Sequence, residues 1–483
     1  MALFKTLPTV LRSFLLPLAL TASTLANSEI TLPTIGDASS SIVSIQKERE
    51  IGGVFLKMLN SQLSTESDPE LVEYVEKLVY RLAESSQLQN RELSIVLIDS
   101  PYLNAFAAPG GIVGINLGLF FYARTEDEFA GVVAHELAHL SQRHYARGVE
   151  TAQRQRLPTI AALLGSIVLA ASGAGDLGAA ALSSTVAGAQ SYQLAFSRIN
   201  EQEADRVGIL TMARAGMDPR GMATLFERMS KLEGTGPQYE FLRTHPLSRN
   251  RVSDARSRAE QYPAKPQNPD GEYQLMRNRA IIRLAQSQED IRNRFQKELN
   301  SSRSGHENAT RYGLAQAELN LQNPKGAKEA LQPLLASSPN NIHYQILHNR
   351  ILFESGDHKT AISNLRKLLS DNPGNYPTTL AIVDLLYNDR QYSEAMSILR
   401  TESRRRPDDS TIWYNMAETA GLAGDILTVH TSRSQYFFLV GDMDNSVKHL
   451  EYALELPNVP FSQRAALKER IEEVKDYKKK MKL

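Results

Sequence analysis

The residues best suited to chemistry lie in one apolar stretch, residues 132–140, with the sequence Val-Val-Ala-His-Glu-Leu-Ala-His-Leu. The spacing of four places His135 and His139 one turn apart on the same helix face, where both imidazoles can bind one metal ion. Glu136 lies about 100° further round the helix, which suits a general base that takes a proton from water. The pattern predicts a zinc site. The alternative, a buried helix that carries two histidines by chance, leaves a Glu and two His in an apolar helix at high cost without a cation.

A hydrolytic zinc site needs three protein ligands and an open position, so a third ligand is expected downstream. The best candidate is the acidic helical stretch at residues 197–205, where Glu201 and Asp205 share one face and Glu203 points elsewhere. Glu201 is predicted to bind the metal, and Asp205 to accept the N–H of a ligand histidine. A solvated acidic face explains this spacing equally well.

The helix that carries the metal motif is well marked at its start. Thr125 and Glu128 form a capping box, and the helix is predicted to run from there to about Arg147. His144 lies five residues past His139, so it is expected off the ligand face, as a surface histidine.

A small β-sheet is predicted ahead of this helix. Residues 93–99 are rich in β-branched side chains and indicate a strand. Residues 104–107 and 112–116 are joined through Pro-Gly-Gly, which predicts a hairpin. Its open edge could pair with a substrate peptide through Asn104, Ala105, Phe106 and Ala107. An ordinary hairpin without a ligand role is the alternative.

Length and composition exclude several classes of protein. A chain of 483 residues is too long for one ordinary core and predicts two to three domains. The 54 basic and 54 acidic residues balance, which argues against a nucleic-acid partner. Because the chain has no cysteine, it has no thiolate metal site, catalytic thiol or disulfide.

Two apolar segments raise the question of a membrane. Lys5 and Arg12 precede a short apolar run and small residues that end at Ala26, which predicts a signal peptide over residues 1–26, with an uncleaved anchor as the alternative. Residues 157–175 carry no charged side chain but include proline and several glycines. They are predicted to form a helix pair over the site that touches a membrane surface, with a true span as the alternative.

A repeat of 34 residues marks the second half of the chain. It is visible in two sets of positions, the prolines at Pro339, Pro373 and Pro407 and the alanines at Ala327, Ala361 and Ala395. Thirty-four is the period of tetratricopeptide repeats, whose stacked helix pairs bind other proteins. The period shortens near Gly441, so one helix at about residues 426–440 is predicted to serve two repeats. The predicted domains are a metalloprotease domain at 27–265, connecting helices at 266–307 and repeats at 308–483.

Four motifs in order carry a resemblance to a known family. They are His-Glu-Leu-Ala-His at 135–139, the acidic motif at 197–205, Asn-Ala-Phe-Ala-x-Pro-Gly-Gly at 104–111 and His-Pro-x-x-x-x-Arg at 245–251. Over roughly residues 45–262 the chain resembles zinc metalloproteases of the HtpX and CAAX-protease type. The resemblance implies a gluzincin fold, Glu201 as third ligand, Glu136 as base and Arg251 as a residue that supports the ligands. It gives His245 one of two roles, stabilising the oxyanion or occupying a fourth zinc position; a loop histidine without function is the alternative.

The fold class that follows is mostly α with a small β-sheet, a metalloprotease domain followed by an α-solenoid. With the signal peptide and the repeats, the chain is similar to a periplasmic branch of that family in Gram-negative bacteria. This similarity implies one zinc ion per chain and an endopeptidase with chaperone-like activity on misfolded or stalled outer-membrane β-barrel proteins. It also implies that the repeats dock onto the barrel-assembly machinery. The alternative is a repeat-based chaperone or adaptor whose metal site is latent.

Overall fold

The computed structural model describes residues 44–148, 197–231, 240–266, 271–301 and 305–481. The predicted signal peptide and the uncharged stretch at 157–175 lie outside these ranges. Among the described helices, none combines the length and the apolar character that crossing a bilayer requires. The architecture is mostly helical with one small sheet, as predicted.

The first half of the chain contains all three described strands and eight of the described helices. In chain order these elements are α1 (Ile45–Gln62), α2 (Pro69–Ser85), β1 (Ser94–Ile98), β2 (Ala105–Ala108), β3 (Ile112–Asn116), α3 (Gly118–Tyr122), α4 (Glu126–Ser141), α5 (Arg198–Arg214), α6 (Arg220–Ser230), α7 (Glu240–Thr244) and α8 (Arg249–Ala259). Helix α4, which carries the metal motif, packs against β2, α2, α5 and α6. The motif therefore lies at the centre of this half.

The sheet has the strand order β1-β3-β2, with β1 parallel and β2 antiparallel to β3. The predicted hairpin is confirmed: Ala105 lies opposite Ile115, and Ala107 opposite Val113. Its turn depends on glycine, because Gly111 has φ 81° and a Cβ there would lie 2.6 Å from the carbonyl oxygen of Glu92. Strand β2 consequently lies at the edge of the sheet, next to α4.

Helix α4 begins as predicted and ends earlier than predicted. Its N-cap is Thr125, whose hydroxyl accepts a hydrogen bond from the Glu128 N–H at 3.2 Å. The prediction that this helix continues to Arg147 is wrong, because α4 ends at Ser141. Arg143 adopts φ 50°, a left-handed conformation that breaks the helix before residues 144–148 become helical again.

Helix α2 forms the scaffold beneath α4. Asp68 caps its N-terminus by accepting hydrogen bonds from the next two free N–H groups, and Pro69 occupies the first helical position. One face of the helix is apolar at the helical spacing and is fully buried, with Leu71, Tyr74, Val75, Leu78 and Leu82. The burial of this face against α4 fixes the position of the metal motif within the domain.

The second half consists of helices that pack on their neighbours in sequence. They are α9 (Glu272–Leu284), α10 (Gln288–Asn300), α11 (Glu307–Asn320), α12 (Pro324–Ser337), α13 (Ile342–Glu354), α14 (His358–Asp371), α15 (Tyr376–Asn388), α16 (Tyr392–Arg405), α17 (Ser410–Ala423), α18 (Ile426–Leu439), α19 (Met443–Glu455) and α20 (Phe461–Met481). The three repeat alanines are completely buried where paired helices meet. Helix α18 has nearly the predicted bounds and packs on both α17 and α19; that it serves two repeats stays a prediction.

A row of acidic side chains on α2 and the loop before it contacts the repeat half. The pairs, from the start of the row to its end, are Glu66 with Arg283 (2.6 Å), Asp68 with Arg279 (2.7 Å), Glu70 with His343 (2.6 Å), Glu73 with Asn375 (3.2 Å) and Glu76 with Arg406 (2.8 Å). We call this row the α2 acidic row. It holds the two halves of the chain together, and it covers part of the repeat surface with the chain's own helix.

Candidate metal centre

The seven polar residues predicted for catalysis, metal binding and ligand support meet in one buried cluster. Helix α4 supplies three of them, α5 two, the residue after α7 one and α8 one, namely His135, Glu136, His139, Glu201, Asp205, His245 and Arg251. One potential ligand atom from each of His135, His139, Glu201 and His245 lies within 4.8 Å of the others. Residues more than one hundred positions apart therefore form one site.

The distances between these atoms suit a single cation. The Nε2 atoms of His135 and His139 are 3.0 Å apart, and the Glu201 carboxylate oxygens lie 3.5 Å from each of them. Ligands of a tetrahedral zinc ion with bonds of about 2.0–2.1 Å are separated by roughly 3.3 Å. Two imidazole nitrogens and a carboxylate are also donors that a divalent transition metal accepts. The donor set fits a metal ion without rearrangement.

His135 is held by a carboxylate that is itself held by an arginine. Its Nδ1 lies 3.0 Å from Asp205, and Arg251 binds both oxygens of Asp205, at 2.7 and 2.8 Å. This arrangement keeps the ring proton on Nδ1 and leaves the Nε2 lone pair pointing at the cluster. The same guanidinium also lies 2.7 Å from Glu201. Arg251 therefore links the supporting carboxylate to the predicted third ligand.

His245 lies on the opposite side of the cluster from α4. Its Nδ1 is 3.3 Å from His135 Nε2 and 3.0 Å from a Glu201 oxygen, while its Nε2 is 3.6 Å from Glu136. The ring stacks on Phe241 with centroids 4.7 Å apart. His245 thus presents one nitrogen to the ligand atoms and the other to the predicted base.

The electrostatics of the cluster favour positive charge at its centre. Burial opposes charge on His135, but hydrogen bonds to Asp205 and Glu201 raise the pKa of His135 to about 9. Burial and the neighbouring charge of His135 hold the pKa of His139 well below its usual value. Burial opposes ionisation of Glu201, yet the charges and hydrogen bonds of His245 and His135 keep its pKa well below the usual range. A divalent cation would supply positive charge at this position.

Glu136 has the surroundings of a base. Its side chain is completely buried, and burial raises its pKa despite the lowering effects of His245, His135 and the backbone N–H of Ala107. Within the described ranges, neither carboxylate oxygen has a well-aligned hydrogen-bond partner. A buried carboxylate without such a partner can accept a proton readily.

The edge of β2 faces this carboxylate. The carbonyl oxygen of Asn104 accepts a hydrogen bond from the Asn116 N–H of β3 at 3.1 Å. Because hydrogen-bonded residues alternate along an antiparallel pair, the backbone groups of Ala105 and Ala107 point away from β3. The predicted edge residues, Asn104, Ala105, Phe106 and Ala107, are all buried. The backbone of Ala105 and Ala107 is therefore what this edge offers for pairing.

The prediction that His144 is a surface histidine is wrong. Its side chain is completely buried, with Nδ1 2.9 Å from His139 Nδ1 and Nε2 3.1 Å from Glu203. On an unbroken helix a residue five positions on would lie about 140° away from His139. The left-handed turn at Arg143 removes that offset and returns His144 to the ligand side. Burial lowers the pKa of His144 to about 4, so its ring is neutral.

The fold and the site define a metallopeptidase with an attached helical-repeat domain. Comparison with known families agrees: Peptidase family M48 matches residues 69–259 and the tetratricopeptide repeat matches residues 352–418. The beta-barrel assembly-enhancing protease of Escherichia coli K12 is 30% identical to this chain over 95% of it and 94% of the relative. A Vibrio cholerae protein that carries the same name provisionally is 32% identical over 93% of both chains. The chain belongs to the family of beta-barrel assembly-enhancing proteases within the M48 peptidases.

Another relative is similar over a shorter stretch. The mitochondrial metalloendopeptidase OMA1 of Schizosaccharomyces pombe is 33% identical over 180 residues, which is 37% of this chain and 50% of its own length.

Proposed function

We propose that this chain is a periplasmic zinc-dependent endopeptidase, with chaperone-like activity, that acts in quality control and assembly of outer-membrane β-barrel proteins. The observation that carries the enzymatic part is the convergence of His135, His139 and Glu201 beside the buried carboxylate of Glu136. The names of the relatives and the predicted signal peptide support the location and the substrate class.

In this proposal His135, His139 and Glu201 hold one zinc ion per chain. When bound, zinc supplies Lewis acidity to a peptide carbonyl and to water. Glu136 takes a proton from the attacking water and passes it to the leaving amine. Asp205 and Arg251 keep the first histidine in the tautomer that leaves Nε2 available, so they act by orienting a ligand.

The substrate is proposed to bind as an added strand along β2. The backbone groups of Ala105 and Ala107 point away from β3, and the Ala107 N–H already faces Glu136. A peptide that paired there would bring a scissile bond beside the base without needing a particular side chain. This mode of binding suits unfolded or stalled chains, because a strand inside a folded sheet already pairs its backbone groups on both sides.

Metal content tests the proposed ligand set. Purified wild-type protein is expected to contain about one equivalent of zinc, and Glu201→Gln to contain much less, because a carboxylate ligand is lost. Glu260→Gln, at the exposed C-cap of α8, is the matched control and is expected to keep its zinc. Wild-type protein should cleave casein and lose that activity with a chelator. Equal zinc in the wild type and the Glu201 variant would contradict the assignment.

His245 is proposed to hold the site in a resting state. Its Nδ1 lies among the ligand atoms, where it can occupy the position that water needs, while its Nε2 faces Glu136. If His245 occupies the fourth position, His245→Ala should raise casein turnover. If it stabilises the oxyanion instead, the same variant should lower turnover by roughly 10²–10³-fold. Unchanged turnover would reject both roles.

The rival proposal is a chaperone or adaptor in which the repeats act and the metal site stays closed. The position of His245 favours this rival as an inactive state of the same protein. Glu136→Gln distinguishes the two proposals when the variant is expressed in cells that lack the wild-type protein. A protease should lose degradation of a misassembled β-barrel protein, whereas a chaperone should retain its effect on assembly. Retention of both activities would contradict the role of Glu136 as base.

The repeats are proposed to dock onto the barrel-assembly machinery. Part of their surface is covered by α2, and α1 covers part of α18 and α20, where Asn60 donates a hydrogen bond to the Leu439 carbonyl at 3.2 Å and Lys57 lies over the Phe438 ring. The proposal predicts that the repeat half can be crosslinked to the assembly machinery at exposed residues of α17 to α20 that contact neither α1 nor α2. Crosslinks confined to the covered surface would contradict it.

A further inference from the structure

The second ligand histidine, His139, is supported by His144, whose position in the sequence does not indicate this role. His144 is completely buried, and its Nδ1 lies 2.9 Å from His139 Nδ1. Its other nitrogen lies 3.1 Å from Glu203, and Arg147 lies 3.0 Å from the same carboxylate oxygen. The four residues form a continuous hydrogen-bonded series from the ligand to the edge of the domain, where Glu203 and Arg147 are partly exposed.

Only one arrangement of protons satisfies all the hydrogen bonds of this series when His139 binds a metal. Two ring nitrogens can share a hydrogen bond only if one of them carries the proton. The His139 Nε2 faces the ligand cluster and needs its lone pair, so the His139 proton must be on Nδ1. That N–H donates to His144 Nδ1, and His144 must then carry its own proton on Nε2, where it donates to Glu203.

The two ligand histidines are therefore supported in parallel but different ways. His135 Nδ1 lies 3.0 Å from Asp205, a carboxylate held by Arg251. His139 reaches its carboxylate only through a second imidazole, and that carboxylate is likewise held by an arginine. Both series of contacts end in a carboxylate–arginine pair. In the second series, the residues lie on both sides of the helix break at Arg143.

We propose that His144 is a positioning residue for the metal: it fixes His139 in the tautomer and orientation that bind the cation, with Glu203 and Arg147 holding His144 in turn. This inference rests on the proposed metal site at His135, His139 and Glu201. Supporting residues of this kind typically change metal affinity by 10- to 100-fold when they are removed.

Zinc affinity, measured by competition with a chromogenic chelator, tests the inference. His144→Leu keeps the volume but removes the acceptor, and it is expected to weaken zinc binding by roughly 10- to 100-fold. His144→Asn restores an acceptor oxygen near the position of Nδ1, so it should recover most of the affinity. Glu203→Gln keeps an acceptor for the His144 N–H but removes the charge, and a smaller loss is expected.

The controls separate a positioning role from a merely structural one. Thermal unfolding of the metal-free variants reports stability alone, so a structural role would lower the metal-free Tm equally in His144→Leu and His144→Asn and leave zinc affinity unchanged. The absorption spectrum of bound Co²⁺ reports ligand geometry and should change in His144→Leu. If His144→Leu does not fold, the Asn and Glu203 variants still give the comparison.

The outcomes also separate this inference from the proposed function. If wild-type protein binds no zinc, or binds it independently of Glu201, the proposed metal site fails and the inference fails with it. If wild-type binding depends on Glu201 but His144→Leu and Glu203→Gln bind zinc as tightly as the wild type, the metal site stands and the positioning role is overturned.

Discussion

Among the described residues, two clusters of buried charge differ in how their charges are paired. One is the metal centre, and the other is the contact between α2 and the repeats around Glu70, His343 and Arg279. Both bury a glutamate and a histidine almost completely. The difference between them is whether each charge meets a complementary partner.

In the α2 cluster every charged group is matched. Glu70 contacts Arg279 at 3.0 Å, His343 at 2.6 Å and the Tyr312 hydroxyl at 3.0 Å, and the second nitrogen of His343 contacts Glu272 at 3.0 Å. Burial opposes the charge on Glu70, but Arg279 and His343 lower its pKa to about 2. Burial also opposes the charge on His343, yet its two carboxylate partners raise its pKa to about 9. This cluster is complete without any ligand.

In the metal centre like groups face each other. Two imidazole nitrogens stand 3.0 Å apart, and the nearby Glu136 carboxylate has a raised pKa and no well-aligned partner among the described residues. Such an arrangement is stable only because the surrounding fold holds it. The comparison teaches that a buried cluster which leaves one carboxylate without a well-aligned partner indicates function, whereas a cluster in which every charge is matched indicates assembly.

The largest expected effect comes from Glu136→Gln. Peptidase activity on casein should fall by roughly 10³–10⁴-fold, because the variant cannot accept the proton of the attacking water. Since burial raises the pKa of Glu136, the charged carboxylate destabilises the folded state, and the metal-free variant should unfold at a temperature no lower than the wild type. A variant that kept activity, or that was strongly destabilised, would remove the contrast between the two clusters.

The second largest effect is expected at the matched cluster, with the opposite pattern. Arg279→Met should lower the free energy of unfolding by about 3–5 kcal/mol, because it removes an arginine partner of the buried Glu70 and breaks the pair with the partly buried Asp68. Zinc content per folded molecule should be unchanged. Arg311→Met, in a partly exposed pair with Glu307, is the control and should cost less than about 1 kcal/mol. Urea unfolding measures both.

The third effect is a pH dependence carried by His343. Its pKa is raised from 6.5 to about 9, so its contribution to stability is complete below pH 6.5 and is lost as the pH rises through 9. The lowered pKa of Glu70 works in the other direction: that contribution is complete above pH 4.5 and is lost as the pH falls through 2. Stability from this cluster should be greatest between pH 4.5 and 6.5.

Replacing His343 isolates its part of that profile. The wild type should lose at most about 3 kcal/mol of unfolding free energy between pH 6.5 and 9.5, and His343→Gln should lose much less over the same range. His358→Gln, at a more exposed site in the repeats, should follow the wild type. Parallel pH profiles for wild type and His343→Gln would show that this histidine is not charged in the folded protein.

Part of the metal centre could be predicted from helical spacing, and the roles of Glu201 as third ligand, His245 and Arg251 came from the family resemblance. Four residues of separation place His135 with His139, and Glu201 with Asp205, on single faces, whatever the rest of the fold does. The 34-residue period likewise follows from positions within the chain. The hairpin at residues 105–116 was marked by its Pro-Gly-Gly turn, which the structure confirms.

Two features could not be predicted, for different physical reasons. His144 depends on a left-handed residue at Arg143, and arginine carries none of the signal that a glycine would have given. The α2 acidic row looks in the sequence like a solvated helix face, because its partners lie more than two hundred residues away and follow no local pattern. Neither a helix break nor a partner that is distant in the sequence produces a periodic pattern of residues, so local sequence patterns cannot predict them.

The smallest expected effect lies at the far end of the α2 acidic row. Glu76 pairs with Arg406 at 2.8 Å, but both side chains are about one-quarter exposed, whereas the Glu70 side chain is only 2% exposed. Water can replace a lost partner at the exposed end, so Glu76→Gln should cost about 0.5–1 kcal/mol and lose its effect in high salt. Glu70→Gln should cost several times more and depend little on salt, since the buried Arg279 and His343 would both lose the carboxylate that lies between them. Urea unfolding of both variants at low and high salt measures the gradient. Equal costs at the two ends would mean that the row acts as one rigid unit, and that partner matching at Glu70 does not distinguish this cluster.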